Sequence, residues 1–329
     1  MNRSDRRIVI LGGGFGGLAV ARQLAGQKAS VQLVDRTNHH LFQPLLYQVS
    51  TAALAGPNIA QPLRTIFSRH PSVEVLMAEV QDIDLAARTV ATDRIQLEYD
   101  NLVLALGSRT HYFGKDHWKR FASGLKSLSD AHRIRNQVLE AFEHAETGEQ
   151  DPATIQRLMT CVVIGAGPTG VELAGSLAEL IKRLFKQDFR NIRPSHARVI
   201  LVDALDRVLP GYPESLSEKA HAQLEELGVE IIVGKMVQDI QHRRVDLDDR
   251  HFDAETIIWT AGVSAPPITG QLALPKDKAG RIKVRPDCSL PGHPEAFAIG
   301  DMASLEDTAG VLVPGVAQGA IQMGRHVGG

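Results

Sequence analysis

The chain has 329 residues, 43% of them hydrophobic, with 36 Lys and Arg against 38 Asp and Glu for a formal net charge of -2. That length and apolar content suffice for two buried cores, and the balanced charge offers no basic excess to hold a phosphate backbone, so nucleic acid is not an expected partner. No apolar run approaches the roughly 20 residues of a spanning helix, the opening MNRSDRR leads into a strand rather than a signal-peptide core, and Cys161 and Cys288 show no CxxC, CxxxxC or zinc-ligand spacing. The chain therefore reads as intracellular, without a disulfide framework or a metal site.

Ile8 to Leu11 reads as an apolar strand, followed by a glycine turn, an apolar helix from Leu18 to Leu24 and a second strand, Val31 to Val34, ending in Asp35. This predicts a βαβ unit. A long loop, NHHLFQPLLYQVSTAALAGP, precedes strand-like VEVLMAEVQDID, the alternating pair RTVAT and IQLEYD, and the apolar strand LVLALGS. Ser127 or Ser129 can cap the helix SDAHRIRNQVLEAFEHAE, where Ile134, Val138, Ala141, Phe142 and Ala145 recur at helical spacing. The polar TGEQDPA ends it as a linker.

At Cys161 the pattern restarts with strand CVVIG, a glycine turn, helix VELAGSLAELIKRLF, the loop DFRNIRPSHA and strand ARVILVDA, so the chain carries an internal duplication. Helix SEKAHAQLEELG, strand VEIIVG, a short hairpin region and TIIWTAGV follow. RIKVRP, AFAIGD and a final helix in PGVAQGAIQMGRHVGG then resume the first half. The expected fold class is α/β, two Rossmann-like dinucleotide-binding domains with the second inserted into the first. The expected division is residues 1–120 and 276–329 for the first domain and 121–275 for the second.

Gly12, Gly14 and Gly17 fit GxGxxG, and so do Gly165, Gly167 and Gly170. The first glycine permits the tight turn, the second lets backbone approach a pyrophosphate, and the third lets helix pack on strand, while the helix N-terminus faces the phosphates. A lone GxGxxG also arises for steric reasons, but each of these follows an apolar strand and opens an apolar helix. Asp35 and Asp203 each end the second strand of their unit, where an acid accepts hydrogen bonds from a ribose; the competing reading is an Asp that caps a turn. Ala204 and Leu205 follow Asp203 with no adjacent cation for a 2′-phosphate, which favours NADH over NADPH, although Arg207 lies close in sequence. Two nucleotide sites without a metal imply one resident redox cofactor and one diffusing one.

The chain resembles flavoproteins built from two dinucleotide-binding domains. That resemblance implies FAD on the N-terminal motif, through Gly12, Gly14, Phe15, Gly16, Gly17, Asp35, Arg36 and His40, and a nicotinamide on the inserted one, through Gly165, Gly167, Gly170 and Asp203. AFAIGD supplies Gly300 and Asp301, whose carboxylate would accept from the ribityl chain, while LVLALGS and TIIWTAGV place Gly107 and Gly262 beneath the cofactors. The end of a strand like MAEV, near Val80, would meet the adenine. More narrowly, NHHLFQPLLYQVSTAALAGPNIAQPLR, GAGPTGVELAG, IIWTAGV, FAIGD and AQGAIQ look like the type II NADH:quinone oxidoreductases, in matching order over essentially the whole chain. The implied activity is hydride transfer from NADH to FAD and passage of two electrons to a quinone, without proton pumping. Members usually continue for many tens of residues into amphipathic helices that attach to the membrane and help form a dimer, whereas this sequence stops at Gly329. Peripheral contact with the cytoplasmic face of the inner membrane, and a homodimer, are expectations for the full family form.

In the family a Glu matching Glu172 lies near nicotinamide and flavin, which implies hydride alignment or proton relay over simple dipole capping. His39 and His40 can form a proton-relay pair, but positioning hydrogen bonds suit a loop beside a cofactor better. Gln318 and Gln322 fall on one face of a helix that Pro314 can open, with Ala317, Gly319, Ala320 and Gly324 small enough to admit a flat ring. Resemblance to the AQxxxQ motif assigns both glutamines to the quinone side; solvated glutamines over a tight helix contact are the alternative. Cys161 reads as an inert core thiol. The rival activities are a sulfide:quinone oxidoreductase, which needs cysteines close to the flavin, a disulfide reductase, whose paired-cysteine motif is absent, and a non-catalytic nucleotide-binding redox sensor.

Overall fold

The computed structural model describes residues 6–148, 151–187, 189–193 and 196–329, with the side chains of 185–187 left out. Positions 1–5 of MNRSDRR, 149–150 of the expected linker, and 188 and 194–195 of the DFRNIRPSHA loop lie outside the described residues. The chain divides into two α/β units: Met1–Leu41, Ala60–Arg109 and Val263–Gly329 form unit 1, and Phe42–Ile59 and Thr110–Gly262 form unit 2.

Unit 1 is built on a six-stranded sheet in the order Ser289–Leu290, His293–Ala298, Asn101–Leu104, Arg6–Leu11, Ala29–Asp35 and Val73–Met77. Every pairing is parallel except that of the first two strands. A parallel sheet covered on both faces needs apolar side chains at every position. Accordingly Val9, Leu11, Leu102 and Leu104 pack into one core, while Ile10, Leu33 and Val103 pack into the other with Leu18, Val20, Ala21 and Leu24 of the helix Phe15–Leu24.

The run VEVLMAEVQDID is two strands rather than one. Val73–Met77 ends the parallel sheet, and Val80–Asp84 joins Thr89–Thr92 and Gln96–Glu98 in a separate antiparallel sheet. Between them the Ala78 N–H donates to the Asp35 carbonyl at 2.9 Å and the Glu79 N–H to the Asp93 carboxylate at 2.7 Å. The alternation continues through that corner without a Gly or Pro, so nothing local marks it.

Unit 2 carries a five-stranded parallel sheet in the order Ser123–Gly124, Thr256–Trp259, Thr160–Ile164, Arg198–Val202 and Val229–Ile232. Ser127 rather than Ser129 caps the helix Leu128–Thr147: its hydroxyl accepts from the Asp130 N–H at 3.1 Å while the Asp130 carboxylate accepts from the Ser127 N–H at 3.0 Å. Ile134, Val138, Ala141, Phe142 and Ala145 are its buried face. Part of the expected linker is helical, because Asp151 caps Pro152–Leu158. The expected long loop NHHLFQPLLYQVSTAALAGP is also structured. Its His39–Leu41 pairs with Ala60–Pro62, and within unit 2 Leu46–Ser50 is a helix whose following Thr51 hydroxyl meets Ser176 Oγ at 2.7 Å.

The final helix spans Ala317–Gly328 and does not open at Pro314. Val316 is its extended N-cap at φ -126° and ψ 160°, and Pro314 belongs to the preceding connection.

Candidate functional site

The first glycine loop connects Arg6–Leu11 to Phe15–Leu24. Gly12 has φ +106°, and a Cβ there would stand 2.3 Å from the Ala105 carbonyl oxygen; a Cβ at Gly17 would stand 1.9 Å from that of Gly12. Both positions are forced by the chain itself. At Gly14 a Cβ would meet nothing within 4 Å. The middle glycine is thus not required by protein contacts, and open space lies in front of it at a helix N-terminus.

Asp35 holds this loop in shape. Its Oδ2 accepts from the Gly13 N–H at 2.7 Å, and its Oδ1 from the Thr37 N–H and hydroxyl at 2.7 and 2.8 Å, so the acid both caps a turn and anchors the cradle. His40 Nδ1 lies 2.9 Å from the Gly13 carbonyl oxygen, which can only accept, so Nδ1 carries the proton. Burial lowers the imidazole pKa below its ordinary value, keeping the ring neutral at pH 7, with Phe15 edge-on at 5.0 Å. His40 is therefore tied to the glycine loop as a hydrogen-bond donor. His39 turns instead toward Asn38 Oδ1 at 3.4 Å. Arg36 is exposed beside Asp35.

Elsewhere in unit 1, Asp301 Oδ2 accepts from the Ser108 hydroxyl at 2.8 Å, which fixes the acid next to Gly300. Sequence reasoning misses Ser108; its place directly after Gly107, in the loop that follows the strand Asn101–Leu104, is the available signal. Val80 opens its strand rather than ending one, and a cavity of about 480 Å³ lined by Met77, Ala78 and Ile95 lies at the carboxyl end of Val73–Met77. Ala317 is the first residue of the last helix, and Gln318 and Gln322 are exposed. The small residues around them do not all face a ligand. A Cβ at Gly324 would stand 2.5 Å from the Gly16 carbonyl oxygen, one at Gly319 2.9 Å from that of Pro314, and Ala320 is buried against Gly16. Three of the four small positions expected to admit a ring serve chain packing instead.

Unit 2 repeats the cradle. Gly165 has φ +109° with a Cβ position 2.5 Å from Ala261 backbone, a Cβ at Gly170 would stand 1.7 Å from the Gly165 carbonyl oxygen, and Gly167 again meets nothing within 4 Å. Asp203 Oδ2 accepts from the Ala166 N–H and Oδ1 from the Leu205 N–H at 2.8 Å. The Thr260 hydroxyl lies 2.9 and 2.8 Å from the Ile164 and Gly165 carbonyl oxygens, and Gly262 sits against the Phe113 ring. Glu172 follows Gly170 on the helix Pro168–Gln187; it reaches the surface, yet desolvation raises its carboxyl above the ordinary value. Both thiols are buried, and burial pushes Cys161 up to about 12 and Cys288 up to about 11, so neither supplies a thiolate.

Two glycine cradles, each braced by a strand-end acid, define a protein of the two-dinucleotide class. The family model for pyridine nucleotide-disulphide oxidoreductases matches residues 6–324. The chain is 44% identical to the type II NADH:quinone oxidoreductase Ndh of Mycobacterium tuberculosis over 98% of this chain and 71% of that protein. It is 41% identical to the type II NADH:quinone oxidoreductase NdhA of the same organism, over 97% of this chain and 70% of that one. The solved structure of NDH2 from Plasmodium falciparum in complex with NADH shares the fold with a TM-score of 0.91, at 18% identity over 98% of this chain and 82% of that one. The chain belongs to the pyridine nucleotide-disulphide oxidoreductase family and, within it, to the type II NADH:quinone oxidoreductases.

Proposed function

We propose that this chain is an FAD-dependent enzyme that takes hydride from NADH and passes two electrons to a quinone without proton pumping. The observation that carries the reading is the pair of complete cradles, each with an open middle glycine, in a chain whose thiols are both buried and protonated. Bound FAD supplies the two-electron chemistry. The residues proposed to hold it are Gly12, Gly14, Phe15, Gly16, Gly17, Asp35, Arg36, His40, Val80, Gly107, Gly300, Asp301 and Ala317. His40 donates to the Gly13 carbonyl and so fixes the loop conformation, and Asp301, steadied by Ser108, offers an acceptor to a ribityl hydroxyl.

NADH is assigned to Gly165, Gly167, Gly170, Asp203 and Gly262. Glu172 is proposed to align the hydride donor or relay a proton, its raised pKa suiting a group that exchanges protons nearer neutrality. Gln318 and Gln322, exposed in the first turns of the last helix, are assigned to the quinone. Among the described residues no helix is long and apolar enough to cross a membrane. We assign the chain to peripheral contact with the cytoplasmic face of the inner membrane, and to a homodimer, on the strength of the family alone.

Anaerobic titration of the yellow protein with NADH and then with a short-chain quinone tests the reading. Bleaching followed by recovery and repeated turnover is expected, and a flavin that NADH leaves oxidised overturns it. Turnover also excludes the redox sensor. Replacing Cys161 and Cys288 with Ser should leave activity intact, whereas a sulfide-oxidising or disulfide-reducing enzyme would lose it.

A further inference from the structure

Two cations close to the strand-end acid of unit 2, one in sequence and one through a backbone hydrogen bond, are engaged elsewhere. The Arg207 guanidinium donates to the Pro210 carbonyl oxygen at 3.2 Å. Lys235 is closer in space than its sequence position suggests: its backbone N–H donates to the Asp203 carbonyl at 3.0 Å, and the preceding Gly234 N–H donates to the Leu205 carbonyl at 2.6 Å. These bonds zip residues 234–235 onto 203–205, so a lysine stem starts one residue's width from the acid proposed to hold the ribose. Its ammonium is nevertheless paired with Asp249 Oδ2 at 3.2 Å. Asp249 also receives Arg250 at 3.3 Å, and these two cations hold its carboxyl below the usual range.

We infer that the Lys235–Asp249 pair is a determinant of nucleotide choice, holding a flexible ammonium rooted beside Asp203 away from the ribose edge and so denying a 2′-phosphate that counter-ion. The inference rests on the reading of unit 2 as the NADH lobe. It goes beyond the acid itself: Asp203 repels a 2′-phosphate, and Asp249 removes the cation that would compensate. The pair is half-exposed, with side-chain exposures of 37% and 42%, so it is a weak tether that sets where a flexible side chain rests. Lys235 and Asp249 are positioning residues in this scheme, and neither touches the reacting atoms.

The experiment measures binding of ADP-ribose and of its 2′-phosphorylated form to the FAD-loaded protein by calorimetry at low salt. Asp249→Asn should tighten the 2′-phosphorylated ligand about threefold to fivefold, leave ADP-ribose within about twofold, and lose its gain as salt is raised. Lys235→Ala alone should leave both affinities within about twofold, and the double variant should lose the gain, because the freed ammonium is its source. An equal gain for both ligands, a gain that survives in the double variant, or no gain at all overturns the inference. If the parent binds neither ligand, the assignment of unit 2 fails and takes the inference with it. If it binds ADP-ribose but does not turn over quinone, only the catalytic reading falls.

Discussion

In unit 1 the helix after the glycine loop lies against the C-terminal helix, so close that a Cβ at Gly324 would strike the Gly16 carbonyl oxygen and one at Gly328 would stand 2.8 Å from Gln23 Cβ. In unit 2 the corresponding helix, Pro168–Gln187, packs on Glu214–Glu226 and on the short helix Leu46–Ser50, and among the described glycines there it has no such backbone approach. The loops themselves superimpose in logic: the same left-handed first glycine, the same blocked third position, the same open middle one, the same acid on the loop amide. What differs is the closure, a neutral histidine and a glycine-lined helix pair in one lobe, a threonine hydroxyl in the other. The shared part is what any dinucleotide demands. The unshared part is what separates a lobe proposed to retain its cofactor from one proposed to exchange it.

The largest effects should come from the blocked positions. Gly17→Ala and Gly170→Ala each drive a methyl into a carbonyl oxygen and should cost at least about 2 kcal/mol of stability, read as a lowered Tm. Gly17→Ala should also leave the protein colourless, whereas Gly170→Ala should stay yellow and fail to bleach. Reversed colours would show that the cofactors had been assigned to the wrong lobes. The open positions separate folding from binding. A Cβ at Gly14 or Gly167 meets nothing within 4 Å, so in Gly14→Val and Gly167→Val the Tm without nucleotide should hold, while FAD retention and NADH binding respectively fall by about 100-fold or more. Unchanged affinity in both would sink the pyrophosphate reading of the loops.

The loops and strands were legible because glycine spacing and apolar runs are local signals. Leu18 to Leu24 gave the buried face of the first helix, although the helix starts at Phe15, where Phe-Gly-Gly has little intrinsic propensity and tertiary packing decides. The Asp35 bond to Gly13 and the Ser108 bond to Asp301 join residues far apart in sequence, and no periodicity announces them. Small residues at 319, 320 and 324 look alike to a sequence reader whether they face a ring or a neighbouring helix. Only their contacts with Gly16 and with the Pro314 carbonyl distinguish the two.

The glutamines of the last helix are assigned to the quinone side alone and should therefore act on one half-reaction only. Gln318→Ala with Gln322→Ala should slow quinone reduction by about one to two orders of magnitude in stopped flow, the scale of a lost positioning contact, with bleaching by NADH near normal. A parent-like quinone rate, or a defect confined to the NADH step, would remove the helix from the quinone site. A smaller effect belongs to unit 2: Asp203→Ala should narrow a parental preference for NADH over NADPH of at least about tenfold, roughly 1.4 kcal/mol. Equal kcat/KM for both nucleotides in the parent would show that Asp203 does not read the ribose.

The smallest difference is in how stability follows pH. Burial acts on His40 in unit 1 and on Glu172 in unit 2 in the same sense, against the charged form, but the two groups carry opposite charges. His40 has a folded pKa below its ordinary 6.5, so the unfolded chain binds more protons there, and stability is lost as pH falls through 6.5 toward the folded value. Glu172 has a folded pKa above its ordinary 4.5, so the folded chain binds more protons, and stability is lost as pH rises from 4.5 through the folded value. Removing each group should therefore flatten opposite ends of the profile. His40→Asn keeps a donor for the Gly13 carbonyl and should reduce the acid-side fall in Tm below pH 6.5, while Glu172→Gln should reduce the fall just above pH 4.5. Because Glu172 is exposed, its slope should be the shallower of the two and should shrink further with added salt. If Glu172→Gln instead steepened the loss above pH 4.5, the carboxylate would be stabilised in the folded lobe, and its proposed role in proton exchange near neutrality would lose its physical basis.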